Sequence, residues 1–128
     1  MSKQIIHTSK APAPIGPYSQ AILTNDFLFI SGQVAIDPVT NTVVEGGASK
    51  EIHQVMMNLD AILKEANLTF RHVVKTTIFL SNMSLFAEVN EVYAKHFDGD
   101  FPARETLAVK GLPKDVNVEI SMTAVVHL

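Results

Sequence analysis

Arg104 is the residue whose type and setting most directly suggest chemistry in this sequence. It lies in the segment Phe101-Pro102-Ala103-Arg104, at the entrance to a predicted strand, and it is one of two arginines among ten basic residues. An arginine guanidinium stays protonated and presents a planar fork that pairs with a carboxylate through two hydrogen bonds. Arg104 is therefore a candidate anchor for a small carboxylate-bearing ligand. The alternative is an ion pair at the end of the strand, since surface ion pairs are common and contribute little.

Glu119 and Tyr18 are two further candidates. Glu119 stands in mid-strand between Val118 and Ile120, where acidic residues are disfavoured. Either it faces water, or its face of the strand is covered and partial burial raises its pKa toward values useful for proton transfer. Tyr18 follows Gly16-Pro17 and could supply a hydroxyl, although a tyrosine packed at the base of a loop is the commoner case.

Other catalytic and ligand-binding patterns are absent from the sequence. It has no glycine-rich dinucleotide or phosphate loop, no Gly-x-Ser-x-Gly elbow and no His-Glu-x-x-His pair. The absence of cysteine excludes disulfides, thiolate nucleophiles and cysteine-based metal centres. Five histidines lie far apart, without the spacing of metal ligands: His7, His53, His72, His96 and His127. We therefore expect neither a metal nor a cofactor.

The composition predicts one domain over residues 1–128. Apolar residues make up 47% of the chain, enough to build one core, and charged residues only 18%. The formal charge is −3 and the basic residues are dispersed, whereas nucleic-acid binding normally requires clustered Lys and Arg. The N-terminal residues lack the apolar core of a signal peptide, and the longest apolar run, residues 27–30, is far shorter than a membrane span. We expect a cytoplasmic protein with no membrane partner.

The spacing of apolar residues indicates which elements position the candidates. An apolar stripe at helical spacing over residues 48–66 predicts a long helix that stops at Asn67. A second helix is predicted over residues 84–97, with Asn82 or Ser84 as its N-cap. Its apolar face consists of Phe86, Val89, Tyr93 and Phe97. Strands are predicted at residues 27–30, 43–44, 72–80, 103–109 and 116–126, and residues 11–18 form a proline-rich extended arm. This order predicts two helices covering one face of a mixed sheet.

The face of the sheet without helices raises the question of assembly. On the last strand, Val116, Val118, Ile120, Met122, Ala124 and Val126 are predicted to face the helices. On strand 72–80 the set Val73, Lys75, Thr77 and Phe79 forms the other, mixed face. The apolar residues Val73, Phe79 and Val125 either contact another subunit or are ordinary exposed apolar side chains. The pattern leaves both alternatives open.

Six segments stand out, in order and spread over nearly the whole chain. They are Ala13-Pro14-Ile15-Gly16-Pro17-Tyr18-Ser19-Gln20, Ile30-Ser31-Gly32-Gln33, Val73-Val74-Lys75-Thr76-Thr77, Phe86-Ala87-Glu88-Val89-Asn90, Phe101-Pro102-Ala103-Arg104 and Leu112-Pro113-Lys114-Asp115-Val116 leading to Val118-Glu119-Ile120. Together they resemble the reactive intermediate deaminases (RidA, formerly YjgF). The resemblance implies a chorismate-mutase-like α+β fold and a homotrimer with ligand clefts between subunits. It also implies hydrolysis of 2-iminopropanoate and related imines, derived from 2-aminoacrylate, to 2-oxo acids and ammonia.

The resemblance also implies residue roles. Arg104 would bind the substrate carboxylate, Glu119 would position or activate the attacking water, and Tyr18 would line the cleft. The other cleft residues that it implies are Asn90, Ser31, the backbone of Gly32 and the backbone amide of Thr106. Imine hydrolysis has a low intrinsic barrier, so these residues require no metal or cofactor.

The sequence departs from the family pattern directly after the arginine. Many relatives have a small residue there and often a cysteine next, where this chain has Glu105 and Thr106. Glu105 is expected to point to the opposite side of the strand from Arg104, so the anchor should be kept. Its negative charge could still weaken the binding of anionic substrates.

Two other functions are weighed against the deaminase. The first is a non-catalytic regulatory module that senses a 2-oxo acid or an amino acid in the same cleft. The second is the ribonuclease or translation-inhibitor role associated with this family, against which the acidic balance of the chain argues.

Overall fold

Six strands form the main sheet of the computed structural model, which describes residues 2–128. In chain order the strands are β1 (Lys3–Ile6), β2 (Ala21–Thr24), β3 (Phe27–Gln33), β4 (Ile36–Asp37), β5 (Thr42–Val43), β6 (Val73–Leu80), β7 (Ala103–Ala108) and β8 (Val118–Val125). The sheet has the order β1-β2-β3-β8-β6-β7, and β4 and β5 form a separate hairpin. The β6–β7 pair is parallel and the other pairs are antiparallel, which confirms the predicted mixed sheet.

The two predicted helices are present as α1 (Ala48–Glu65) and α2 (Phe86–Ala94). Just beyond α1, Asn67 has a φ of 61°, the left-handed conformation that ends a helix. Asn82 accepts a hydrogen bond from the Ser84 amide at 2.8 Å and caps the short turn before α2, whereas the N-cap of α2 itself is Leu85 and neither predicted residue. Helix α2 ends before the predicted Phe97. The backbone hydrogen bonds after Ala94 join residues three apart instead of four, as in a 3₁₀ turn. Within residues 2–128 neither helix has the length and apolar character that crossing a bilayer requires.

Both helices cover one face of the sheet and enclose the core. Helix α1 packs against β3, β8 and α2. The alternation predicted for the last strand is confirmed, because Val118, Ile120, Met122 and Ala124 are all buried. The strand is shorter than predicted, however, and Val116 precedes it, packing with Val34 and Ile36 in a small second cluster.

The predicted faces of strand β6 are wrong at its start. Val73 was expected on the mixed face with Phe79, but it is 5% exposed and belongs to the core, whereas Val74 is 42% exposed. The register between β6 and β8 shifts between Val73 and Lys75. This bulge inserts one residue and reverses the alternation, so Val73 and Thr76 both face the helices.

The sequence pattern did not reveal strands β1 and β2. They form one edge of the sheet, and residues 11–18 between them contain neither helix nor strand, in line with the predicted arm. Gln20 fixes this arm from within: its side chain is 2% exposed, accepts a hydrogen bond from the Thr8 amide at 2.8 Å and donates to the carbonyls of Thr8, Ala11 and Pro12. Tyr18 lies on the same arm, so its position depends on the buried side-chain amide of Gln20.

We predict that Gln20→Ala lowers the free energy of unfolding by about 2–3 kcal/mol, because it leaves buried backbone groups of the arm unpaired. Urea denaturation at a fixed protein concentration measures the change. The matched control is Gln4→Ala on β1, an exposed glutamine that should have little effect. Equal stability of the two variants would contradict the role assigned to Gln20.

Candidate active site

Arg104 is held by aromatic rings and has no acidic partner. Its guanidinium carbon lies 5.1 Å from the centre of the Tyr93 ring and 5.7 Å from that of Phe86. Among residues 2–128 the ion pairs are Lys64–Asp60 and Lys75–Glu105, and neither includes Arg104. Within residues 2–128 Arg104 therefore forms no strand-end ion pair. The half-buried guanidinium keeps its charge available to a ligand.

A cavity of about 320 Å³ opens beside this guanidinium; we call it the Arg104 cavity. It is lined by Asn90, Tyr93, Ala94, Phe101, Pro102 and Arg104. Asn90 and Tyr93 come from α2, and Arg104 from the edge strand β7. The cavity combines one cation and one amide with a largely apolar wall, the mixture typical of small-molecule sites.

Glu119 lies in a second cavity of about 390 Å³, which we call the Glu119 cavity. Its lining residues are Ile15, Tyr18, Ser31, Gly32, Val34, Pro113 and Glu119. The side chain of Glu119 is half-buried, and loss of hydration raises the pKa of its carboxyl group. Of the two alternatives considered for Glu119, partial burial is the one found.

Gly32 makes room for this carboxylate. A Cβ atom at position 32 would overlap the Glu119 carboxylate and would lie 2.9 Å from its Cδ. The β3–β8 register shifts between Ile30 and Gln33, so Ser31 and Gly32 lie in a bulge facing β8. The bulge and the missing side chain together set the space around Glu119.

Tyr18 and Ser31 contribute to the second cavity in different ways. The Tyr18 hydroxyl accepts a hydrogen bond from the Ile15 amide at 3.2 Å, which leaves its own proton free to donate. The Ser31 hydroxyl donates to the Ser19 carbonyl at 2.6 Å, and the Ser31 amide donates to the Gln20 carbonyl at 2.9 Å. Ser31 thus fastens the arm beside Tyr18.

Arg104 and Glu119 point to opposite faces of the same sheet. Arg104 is in register with Thr76, which is fully buried beneath the helices. Glu119 is in register with Phe79 and stands between Val118 and Ile120, whose side chains fill the core. Because registered neighbours share a face and successive residues alternate, a rotamer change cannot bring the two groups of one chain together.

The residues after Arg104 follow the same alternation. Glu105 points away from Arg104, as predicted. Its carboxylate accepts a hydrogen bond from the Thr77 hydroxyl at 2.6 Å and forms an ion pair with Lys75, with 3.0 Å between Oε1 and Nζ. The bonds from Thr77 and then Lys75 lower the pKa of Glu105. Thr106 lies on the Arg104 side, where its hydroxyl oxygen is buried without a hydrogen-bond partner among the described residues.

Several residues around the two cavities were not predicted. Phe86 was grouped with the apolar face of the second helix, but it is 40% exposed and its ring lies beside the Arg104 guanidinium. The spacing of Phe86, Asn90 and Tyr93 at i, i+4 and i+7 does place them on one helical face, which was the available signal. Ile15, Val34 and Pro113 come from separate segments and share no local pattern. Over residues 2–128 no group of three or more His, Asp or Glu side chains is placed to hold a metal ion.

Comparison with known proteins connects this geometry to a family. The model of the family described as endoribonuclease L-PSP matches residues 8–126. A RutC family protein of Synechocystis is 50% identical over 98% of each chain, and the 2-iminobutanoate/2-iminopropanoate deaminase of Mus musculus is 46% identical over 96% of this chain and 91% of its own. The solved structure of YyfA from Yersinia pestis, described as a member of the conserved Rid protein family, is 46% identical and superimposes with a TM-score of 0.94 over 97% of this chain and 99% of its own.

We predict that Glu119→Gln stabilises the isolated folded chain at pH 7. The raised pKa means that ionised Glu119 is less favourable in the folded than in the unfolded state of that chain, so it costs stability above its folded pKa. The gain from the amide should therefore shrink as the pH falls and vanish below the ordinary value of 4.5. Urea denaturation between pH 4 and pH 8, at a protein concentration at which size-exclusion chromatography finds separate chains, measures the difference.

Glu105→Gln is the control, because the pKa of Glu105 is lowered where that of Glu119 is raised. That variant should be no more stable than the parent at pH 7. A Glu119→Gln protein that is less stable than the parent at pH 7 would contradict the unfavourable environment assigned to this carboxylate.

Proposed function

Because this chain belongs to the Rid family, described in its family model as endoribonuclease L-PSP, we propose that it hydrolyses small 2-imino acids to 2-oxo acids and ammonia. The substrates are 2-iminopropanoate, 2-iminobutanoate and their close relatives. The observation that carries the proposal is the Arg104 guanidinium, which faces a cavity and has no acidic partner within residues 2–128. Such a group matches the carboxylate that all these substrates share.

Arg104 supplies orientation in this proposal. Two parallel hydrogen bonds fix the carboxylate and thereby the direction of the adjacent C=N carbon. Holding the imine carbon beside a positioned water makes the reaction effectively unimolecular, so the entropy cost of bringing the two together is already met on binding. Phe101, Pro102 and Ala94 form an apolar wall beside the guanidinium, and covering this wall with a second subunit would exclude water and strengthen the ion pair.

Glu119 handles the protons. Its carboxylate takes a proton from a water molecule whose oxygen bonds to the imine carbon, and returns this proton to the imine nitrogen, which becomes the amine of a carbinolamine. The carboxylate then takes the hydroxyl proton of the carbinolamine and returns it to the amine nitrogen. The C=O bond forms as the C–N bond breaks and ammonia leaves, so the sum is imine plus water giving 2-oxo acid plus ammonia. A raised pKa suits a group that both accepts and returns a proton near neutral pH, and such catalysis contributes about 10²–10⁴-fold.

The site is completed by a second copy of the chain. Since Arg104 and Glu119 of one chain lie on opposite faces of the sheet, the proposed reaction requires the Arg104 cavity of one subunit to meet the Glu119 cavity of the next. A head-to-tail contact forms a ring when its rotation closes. The family resemblance implies a ring of three with three equivalent clefts.

The helix-free face of the sheet supports this assembly. Phe27, Phe29 and Leu107 are each more than 40% exposed there, and the rings of Phe27 and Phe29 stack at 6.0 Å. Phe79 and Val125 lie on the same face and are half-buried. Exposed apolar side chains of this size on a sheet face that no helix covers are typical of a contact between subunits.

RNA cleavage, named in the family description, has less support in this chain. The net charge is −3, and the lining residues of the two cavities include a single cation, Arg104. RNA binding draws on clustered positive charge along the phosphate backbone. RNA cleavage that survives repurification and the combined loss of Arg104 and Glu119 would still show an activity outside this site.

Adding the protein to a dehydratase that releases 2-aminoacrylate should accelerate pyruvate and ammonia formation. Arg104→Ala should lower kcat/KM by about two or more orders of magnitude, because a sheltered bidentate carboxylate contact is lost. The control is Arg71→Ala, the other arginine, which lies outside both cavities and should keep the parent rate.

The result that would overturn the catalytic proposal is an unchanged rate of pyruvate formation with the parent protein. Binding of 2-oxobutanoate, measured by calorimetry, then separates the remaining possibilities. Binding that depends on Arg104 without turnover would indicate a metabolite-binding module.

Mixing two inactive variants tests the shared cleft. Arg104→Ala and Glu119→Ala subunits, unfolded together and refolded in equal amounts, should regain about a quarter of the parental activity, because about one cleft in four then combines an intact Arg104 with an intact Glu119. Each variant refolded alone is the control. Activity no higher than that of the separate variants would contradict a site built from two chains.

A further inference from the structure

We propose that Phe86 and Tyr93 are positioning residues that hold the Arg104 guanidinium by their ring faces and leave its N–H groups free for a ligand carboxylate. The inference deepens the proposed function and rests on it for the identity of the ligand. It concerns residues of α2 that do not themselves perform the reaction.

The spacing on α2 directs both rings at the same target. Phe86 and Tyr93 are seven residues apart and therefore occupy one helical face, two turns from each other. The guanidinium carbon of Arg104 lies 5.7 Å and 5.1 Å from the two ring centres, within the range of cation–π attraction. Asn90, between them on this face, lines the same cavity.

Aromatic rings suit this purpose better than an acidic partner. A carboxylate beside Arg104 would occupy the hydrogen-bonding fork and neutralise the charge that a substrate carboxylate needs. A ring face attracts the cation but takes up none of its bidentate N–H donors. Burial, the largest influence, raises the pKa of Tyr93, so its hydroxyl stays protonated near neutral pH and forms no phenolate ion pair with Arg104.

The Tyr93 ring is itself fixed from the sheet. Its hydroxyl donates to the Thr76 hydroxyl at 3.0 Å, and both residues are buried. Thr76 is the registered neighbour of Arg104 across the β6–β7 pair. On its other side the Tyr93 ring packs on Phe97 with ring centres 4.9 Å apart. Tyr93 is thus constrained by the adjacent strand and by the aromatic cluster.

The chain offers a direct spectroscopic test, because it contains two arginines. In an Arg71→Lys background, the arginine Nε–H resonance in a proton–nitrogen correlation spectrum belongs to Arg104. Ring currents from Phe86 and Tyr93 should displace this resonance from its position in an unfolded chain. Binding of 2-oxobutanoate, followed by calorimetry on the same samples, provides the functional readout.

Phe86→Leu and Tyr93→Leu should each move the resonance toward the unfolded position and weaken 2-oxobutanoate binding about three- to tenfold. Tyr93→Phe keeps the ring and should stay close to the parent in both readouts. The control is Phe70→Leu, an aromatic residue of the same cluster whose ring contacts Phe97 and His96, whereas the rings at Arg104 are those of Phe86 and Tyr93. It should leave both readouts unchanged even where it lowers stability.

Leucine variants that fold and keep the parental resonance and affinity would overturn the inference, as would a Tyr93→Phe variant as impaired as Tyr93→Leu. If the parent protein fails to bind 2-oxobutanoate, the proposed ligand class is wrong. The resonance shifts then still decide whether the rings hold Arg104.

Discussion

A positive charge held without a counter-charge is the constraint on which the rest of this site depends. Arg104 is half-buried on the edge strand β7, and its neighbours are the rings of Phe86 and Tyr93. The ring faces attract the guanidinium and leave its N–H donors free for an anion. In the proposed function that anion is the substrate carboxylate.

The second constraint is that the sheet of one chain presents Arg104 and Glu119 on opposite faces. Strand alternation sends Arg104 toward the helices and Glu119 toward the open face. The bulge at Ser31 and Gly32 and the arm pinned by Gln20 then shape the space around Glu119. Chemistry that needs both groups requires assembly, so folding, subunit contact and activity depend on the same sheet.

The local spacing of apolar and polar residues in the sequence was sufficient to predict much of this structure. The helical stripe of α1, the Asn67 stop and the alternation of β8 follow from nearest-neighbour geometry, and they are found as predicted. Arg104 and Glu119 stood out because a rare arginine and a mid-strand acid are unusual in their settings. The structure places both beside cavities.

What the pattern missed depends on contacts between distant segments. The bulge that turns Val73 into the core is visible only in the pairing of β6 with β8. Strands β1 and β2 are short, and β2 is stabilised by its neighbours on both sides. Helical spacing grouped Phe86 with the apolar face of the second helix, because an apolar stripe does not distinguish a buried ring from one that covers a cation.

The most direct test is a crystal structure of the assembled protein with 2-oxobutanoate bound. We expect the ligand carboxylate to form two hydrogen bonds of about 2.7–2.9 Å with Arg104 of one subunit. Its keto carbon should lie beside Glu119 of the next subunit, with room for one water between them. A structure in which Arg104 faces bulk solvent, or in which the ligand meets Arg104 with no Glu119 nearby, would contradict the account.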